Sequence, residues 1–146
     1  MQEFLMKKYK KTLDNICYIT YIDRTDESEN FEIVFYKKRG GQCPIQEFLD
    51  SLDVKMRAKA LLMVALLREH GANLRLPYSK QLEDGIFELR AKQGSNITRL
   101  LYFFFAGKKA VLTNGFVKKT QKTPRAQIQK AKEYRSDYLA QIQTED

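Results

Sequence analysis

The stretch GIFELRAKQGSNITRLLYFFFAGKKAVLTNGFV, Gly85–Val117, holds three strand-forming runs, 86–92, 97–105 and 109–117. Aromatic and β-branched side chains fill them, and the links Gln93-Gly94-Ser95-Asn96 and Ala106-Gly107-Lys108 contain glycine and are of hairpin length. An antiparallel three-stranded meander is the expectation. Alternation then assigns faces: Phe87, Leu89 and Ala91 point one way, and Glu88, Arg90 and Lys92 the other. In the next run Ile97, Arg99, Leu101 and Phe103 share a side. Arg99 is therefore a guanidinium in an otherwise apolar row. Its burial costs free energy unless it pairs, for instance with Glu88 across the strand pair, or reaches a solvent-filled groove.

Working outward, Pro124 opens an amphipathic helix through Gln141, with Ile128, Ala131, Tyr138, Leu139 and Ile142 inward or nearly so. Upstream, residues 72–85 read as a loop. Before it, a short helix from Pro44 to Leu52 and a longer one over 54–70 form a helical hairpin. Asp53 caps the second helix, and Gly71 follows its end at His70. Cys17–Ile22 and Phe31–Tyr36 read as two strands of a further hairpin around the polar turn 23–30. The first 15 residues are charged and weakly patterned, and Met6 is an alternative start. The fold class expected is α+β, with residues 1–30 as an N-terminal extension and 31–142 as the domain.

Charge is concentrated in the same region. Residues 89–132 contain no acid and eleven Lys and Arg, so that window carries +11 and the rest of the 146-residue, +8 chain carries −3. An otherwise slightly acidic domain thus presents one cationic face, the electrostatic footprint of a phosphate ligand. Its densest part is Gly115-Phe-Val-Lys-Lys-Thr-Gln-Lys-Thr-Pro124, with Lys118, Lys119 and Lys122 between a strand and a helix. Charged runs are usually solvated faces, and Lys130 and Lys132 fit that reading. Clustered cations without neutralising partners need anionic compensation, which favours a functional role for the group around Lys119.

Composition excludes several classes. The chain has room for one domain with an ordinary core. Cys17, Cys43 and His70 do not make a Cys/His metal site, and the cysteines read as reduced, buried thiols of a cytoplasmic protein. No cofactor is implied. The longest apolar runs, 60–67 and 100–106, are far short of the roughly 20 residues of a membrane span, and no signal-peptide pattern is present. Phe103, Phe104 and Phe105 invite comparison with a base-stacking platform, but in a buried meander strand such a run is core.

Taken in order, Gly85-Ile-Phe-Glu-Leu-Arg90, Thr98-Arg99-Leu-Leu-Tyr102 and Gly115-Phe-Val-Lys-Lys-Thr-Gln-Lys-Thr-Pro124 resemble the HigB-type branch of the RelE/ParE toxin superfamily, the phage-derived host-inhibition toxins. The resemblance covers about residues 31–139. It implies a RelE-like fold, an antiparallel sheet with an N-terminal helical hairpin and a C-terminal helix. It also implies the toxin of a type II toxin–antitoxin system: a metal-independent endoribonuclease that cleaves mRNA on the ribosome and inhibits translation. The partner implied is a helix-turn-helix antitoxin of the HigA type. The same superfamily contains inhibitors of DNA gyrase, so a non-catalytic inhibitor of gyrase or of the ribosome is the alternative.

Carried over position by position, Arg99 matches the arginine on the scissile phosphate and Lys119 falls on or beside the second basic position. Arg90 matches a basic residue of the groove, with Lys92 and Lys118 beside it as RNA-binding candidates. Glu88 stands where the best-known members have lysine, and Lys122-Thr123-Pro124 stands where others place a catalytic tyrosine or histidine. Metal-free RNA cleavage needs the 2′-OH deprotonated, the phosphorane dianion stabilised and the 5′ oxygen protonated. One histidine rules out a two-imidazole mechanism within a subunit, and His70 reads as a helix-end cation. Proton transfer is left to Lys118, Lys119 or Lys122 with pKa values lowered by crowding, to Glu88, to a tyrosine such as Tyr102, or to ribosomal groups.

Overall fold

The computed structural model describes residues 30–119 and 122–144. The strand expected over 17–22 lies outside them. The described chain runs β1 (Glu32–Phe35), α1 (Pro44–Ser51), α2 (Val54–His70), a 3-10 turn (Gly71–Asn73), β2 (Ser79–Gln81), β3 (Phe87–Gln93), β4 (Asn96–Phe105), β5 (Lys109–Val117) and α3 (Arg125–Thr144). No helix among these residues is long and apolar enough to cross a membrane.

The meander expected from Gly85–Val117 is present, but the sheet as a whole is mixed rather than antiparallel. Its order is β1-β5-β4-β3-β2, and β1 runs parallel to β5 with Glu32 opposite Lys109 and Phe35 opposite Leu112. Alternation in 31–36 announces a strand without naming its neighbour, and the intervening helices carry the chain across the sheet to make the parallel pairing. The second correction is β2, which lies in the region expected to be loop. Only three residues long, it is held by register with β3, Ser79 opposite Leu89 and Lys80 opposite Glu88. Ser79 is buried, with its hydroxyl against that of Tyr102.

Helices α1 and α2 cover one face of the sheet. Leu61, Leu67 and Ile45 meet Leu89, Leu100, Tyr102 and Leu112 there, all buried. Asp53 caps α2 by accepting from Met56 N at 2.9 Å. Arg57 ties the two helices together, donating from Nε to Leu49 O at 2.9 Å and from Nη2 to Asp50 O and Leu52 O. These are carbonyls at the end of α1, where Leu49 O also accepts from Leu52 N at 3.2 Å. Gly71 closes α2 at φ 52°, and a Cβ there would lie 2.0 Å from the ring of Phe31. Glycine is required on both counts.

The opposite face was expected to be an open cationic groove. Most of it is covered by α3, whose Ala131, Tyr134 and Tyr138 pack on Phe103, Val111 and Phe116. Phe103 and Phe105 both meet the Tyr138 ring edge-on, while Phe104 turns to the other core against Phe31, Phe87 and Tyr102. The three phenylalanines are packing residues. Leu139, expected inward, is 37% exposed. Polar contacts fix the helix instead: Tyr36 donates to Asp137 Oδ2 at 2.5 Å, and Lys132 and Arg125 meet Glu83 at 2.9 and 3.1 Å. Beside Glu88, what α3 leaves uncovered of that face is a corner where β2 and β3 meet the start of α3.

Candidate functional site

That corner is built from the sheet outward. In the β3/β4 register Arg90 lies directly opposite Arg99, and Glu88 opposite Leu101. Side chains paired in this way have Cβ atoms about 5 Å apart, so two guanidiniums share a small space. Glu88 compensates them. Its carboxylate is buried, with Oε2 3.7 Å from Arg99 Nε and Oε1 3.9 Å from Arg90 Nε. Thr123 donates its hydroxyl to Glu88 Oε2, so the segment just before α3 is tied to the same carboxylate.

Arg99 is 5% exposed. Its Nη1 donates to Thr98 O at 3.1 Å, but its Nε has no hydrogen-bond acceptor among the described residues. Burial, and then the charge of Arg90, lower its pKa, while Glu88 opposes both. An arginine stays charged through such shifts. Lys118 is similarly placed: partial burial and then Arg99 lower its pKa, Glu88 acts against them, and Arg90 and Lys80 add to the lowering. Its backbone N–H donates to Ile97 O at 2.8 Å, which extends the β5 pairing and brings the side chain to this corner.

Outside the buried cluster is an open cleft of about 380 Å³, lined among others by Lys80, Glu88, Lys118, Lys122, Thr123 and Arg125. The tertiary structure thus brings Lys118 and Lys122 to the lining of the cleft and sets Arg90 and Arg99 behind Glu88, which also lines it, although these residues are spread over 33 positions of sequence from 90 to 122. Lys119 is exposed and does not line the cleft, and Lys92 is exposed at the far end of β3, opposite Ile97. Lys80 and Arg125 join the site without having been singled out in the sequence. Lys80 owes its place to β2, whose register sets it opposite Glu88. No periodicity in that three-residue strand signalled this.

One proton-transfer candidate, Tyr102, lies elsewhere, as does the helix-end His70. Tyr102 is buried in the core beneath α1 and α2, on the opposite face of the sheet from Glu88, and burial pushes its pKa up to about 12. His70 closes α2 and is exposed. Glu88 and the lysines of the cleft remain.

Chemically, then, this is an α+β domain with a cationic cleft set over an Arg–Glu–Arg cluster, an arrangement suited to a phosphate-bearing ligand. The chain belongs to the Gp49-like family: residues 47–136, from α1 into α3, match the family described as Phage derived protein Gp49-like (DUF891). That is a family of RelE/HigB-like toxins, associated with toxin–antitoxin systems, and such toxins work with an antitoxin partner. No curated protein matches the sequence.

Proposed function

We propose that the protein is the toxin of a type II toxin–antitoxin system and acts as a metal-independent endoribonuclease on mRNA in the ribosome. The observation that carries this reading is the in-register pair Arg90–Arg99 with Glu88 as the one carboxylate in ion-pair distance of both among the described residues. Two guanidiniums and one carboxylate leave net positive charge before Lys80 and Lys118 are counted. A phosphodiester supplies the missing anion.

In the reaction proposed, the 2′ oxygen attacks phosphorus, the P–O5′ bond breaks, and the products are a 2′,3′-cyclic phosphate and a 5′-hydroxyl. Arg99 and Lys122 stabilise the dianion that develops at phosphorus. Two carboxylates line the cleft; Glu83 is paired with Lys132 and Arg125, and Glu88 accepts the proton of the 2′-OH. Lys118, its pKa lowered by its surroundings, returns a proton to the leaving 5′ oxygen. Arg90 positions Glu88, while Lys92 and Lys119, exposed outside the cleft, meet flanking phosphates of mRNA or ribosomal RNA. Alignment of the 2′ oxygen comes from the ribosome holding the message. The antitoxin is a helix-turn-helix protein of the HigA type, and the site of action is the cytoplasm.

Mapping mRNA 5′ ends in cells after induction tests this. Codon-phased cuts that appear only on translated messages are expected. Intact messages accompanied by DNA damage would replace this reading with gyrase inhibition, and intact messages with stalled translation would replace it with a non-catalytic ribosome inhibitor.

A further inference from the structure

A second cleft, of about 360 Å³, opens on the other side of the first turns of α3. Its floor is Asn114 and Gly115 of β5, and its walls include Gln127, Lys130 and Tyr134 of α3 with Lys38 after β1. Nothing in the proposed reaction uses it.

We infer that this cleft is a nucleotide subsite, which holds the base and phosphate of a residue flanking the scissile one. The inference rests on the reading of the first cleft as an RNA site. Three observations carry it. The first is position. Asn114 is opposite Leu101, and Leu101 is opposite Glu88, so the two clefts share one cross-strand row. Strands two apart in a sheet are separated by on the order of 10 Å. The start of α3 crosses over that row, with Arg125 and Ile128 facing the Glu88 cleft and Gln127 and Lys130 facing the second. A single strand lying over this turn reaches both.

The second observation is a fixed polar wall. Asn114 is 4% exposed, and its amide is locked. Thr113 Oγ1 donates to Asn114 Oδ1 at 2.7 Å, and Asn114 Nδ2 donates to the backbone carbonyl and to Oε1 of Gln127 at 3.2 and 3.1 Å. Because the backbone carbonyl can only accept, the orientation of both amides follows. Gln127 is left presenting Nε2, a donor suited to the ring nitrogens and carbonyls of a base edge.

The third is the pairing of aromatic and cationic groups. Tyr134 stacks on Tyr36 with ring centroids 4.8 Å apart, and Lys38 Nζ lies 5.7 Å from its ring. With Lys130 this places two ammonium groups around a polar, aromatic-sided pocket, the combination by which single-stranded RNA is held. Glu47 stands at the rim with Gln42 donating to it, and its charge selects against a bare anion in favour of a ligand that also offers donors.

The experiment is an NMR titration of the full-length, 15N-labelled protein with a 2′-O-methyl RNA hexanucleotide, which cannot be cleaved, and with inorganic phosphate. Shifts are expected at the Gln127 side-chain amide and the Asn114 backbone with the hexanucleotide, in addition to those at Lys118. The double substitution Gln127→Ala and Lys130→Ala should weaken hexanucleotide binding about five- to tenfold and leave the phosphate-induced shifts at Lys118, in the first cleft, unchanged. Binding of the hexanucleotide without movement at Gln127 and Asn114, or equal affinity in the double variant, overturns the subsite. Equal shifts with phosphate alone reduce it to an anion site and overturn it as well. Cleavage mapped in cells is a separate readout: intact messages beside a responding Gln127 would reject the nuclease and keep the subsite, and codon-phased cuts beside a silent Gln127 would do the reverse.

Discussion

Arg90 and Arg99 stand directly opposite one another on adjacent strands, held there by the carboxylate of Glu88 between them. Like charges so placed repel, and the sheet tolerates them because Glu88 is buried among them and hydrogen-bonded by Thr123. The arrangement couples the sheet to the segment that precedes α3 at the point where a phosphate would bind.

Removing the buried guanidinium should separate chemistry from folding. Arg99→Ala is expected to lower mRNA cleavage by about 100-fold or more, the usual effect of deleting one group that stabilises a developing anion. Growth inhibition should vanish, while the circular dichroism spectrum and co-purification with the antitoxin stay as in the wild type. Full toxicity in this variant would reject the role given to Arg99.

Glu88→Gln keeps the shape but leaves the two guanidiniums without a counter-charge. We expect a loss of roughly 2–3 kcal/mol in urea unfolding, somewhat below the cost of a fully buried and well-formed ion pair because the contacts are 3.7 and 3.9 Å. Added phosphate should restore more stability to this variant than to the wild type, since a bound anion replaces the missing carboxylate. Equal phosphate stabilisation of the two proteins would show that the guanidiniums do not face the ligand.

Lys118 couples stability to pH. Its folded pKa is lowered, mainly by burial and then by Arg99, so the unfolded chain binds the proton more tightly than the folded one. The charge on Lys118 therefore opposes folding at neutral pH, and this penalty is relieved as pH rises through the folded pKa towards the unfolded one. Lys118→Met should raise the unfolding midpoint at neutral pH, with the gain shrinking in alkaline buffer. It should also weaken RNA binding and reduce the salt slope of binding by about 1. A loss of stability at neutral pH would contradict the assignment.

Gly115 tests the fold beneath the motif. A Cβ there would fall 2.3 Å from Phe48 Cδ2 and 3.0 Å from Leu100 Cδ2. Gly115→Ala should cost about 1–3 kcal/mol in chemical denaturation, and Phe48→Leu in the same chain should recover part of it. Unchanged stability on adding the methyl group would show that α1 does not seat its ring against β5.

Much of the architecture was legible because it is periodic. The alternation in Phe87–Gln93 and Asn96–Phe105 announced the meander, put Glu88 and Arg90 on one side of β3 and set Arg99 in the apolar row of β4, while the register made these one face; Asp53 and Gly71 bounded α2 by local chemistry. Where the pattern was short or silent the reading stopped. Three residues of β2 are too few to show alternation, so Lys80 went unnoticed, and the glycine of Gly115-Phe-Val-Lys-Lys is explained by Phe48, 67 positions away.

The sequence by itself determined the class of the fold and the concentration of charge, because period-two burial and acid-free composition are properties of the chain read locally. Only the tertiary structure decided that β1 lies parallel to β5, that α3 closes most of the expected groove, that Lys118 rather than Lys119 lines the remaining cleft, and that a second cleft flanks it. Those depend on register between strands and on which face a helix covers. Both are set by packing between segments distant in sequence, and so leave no local signature.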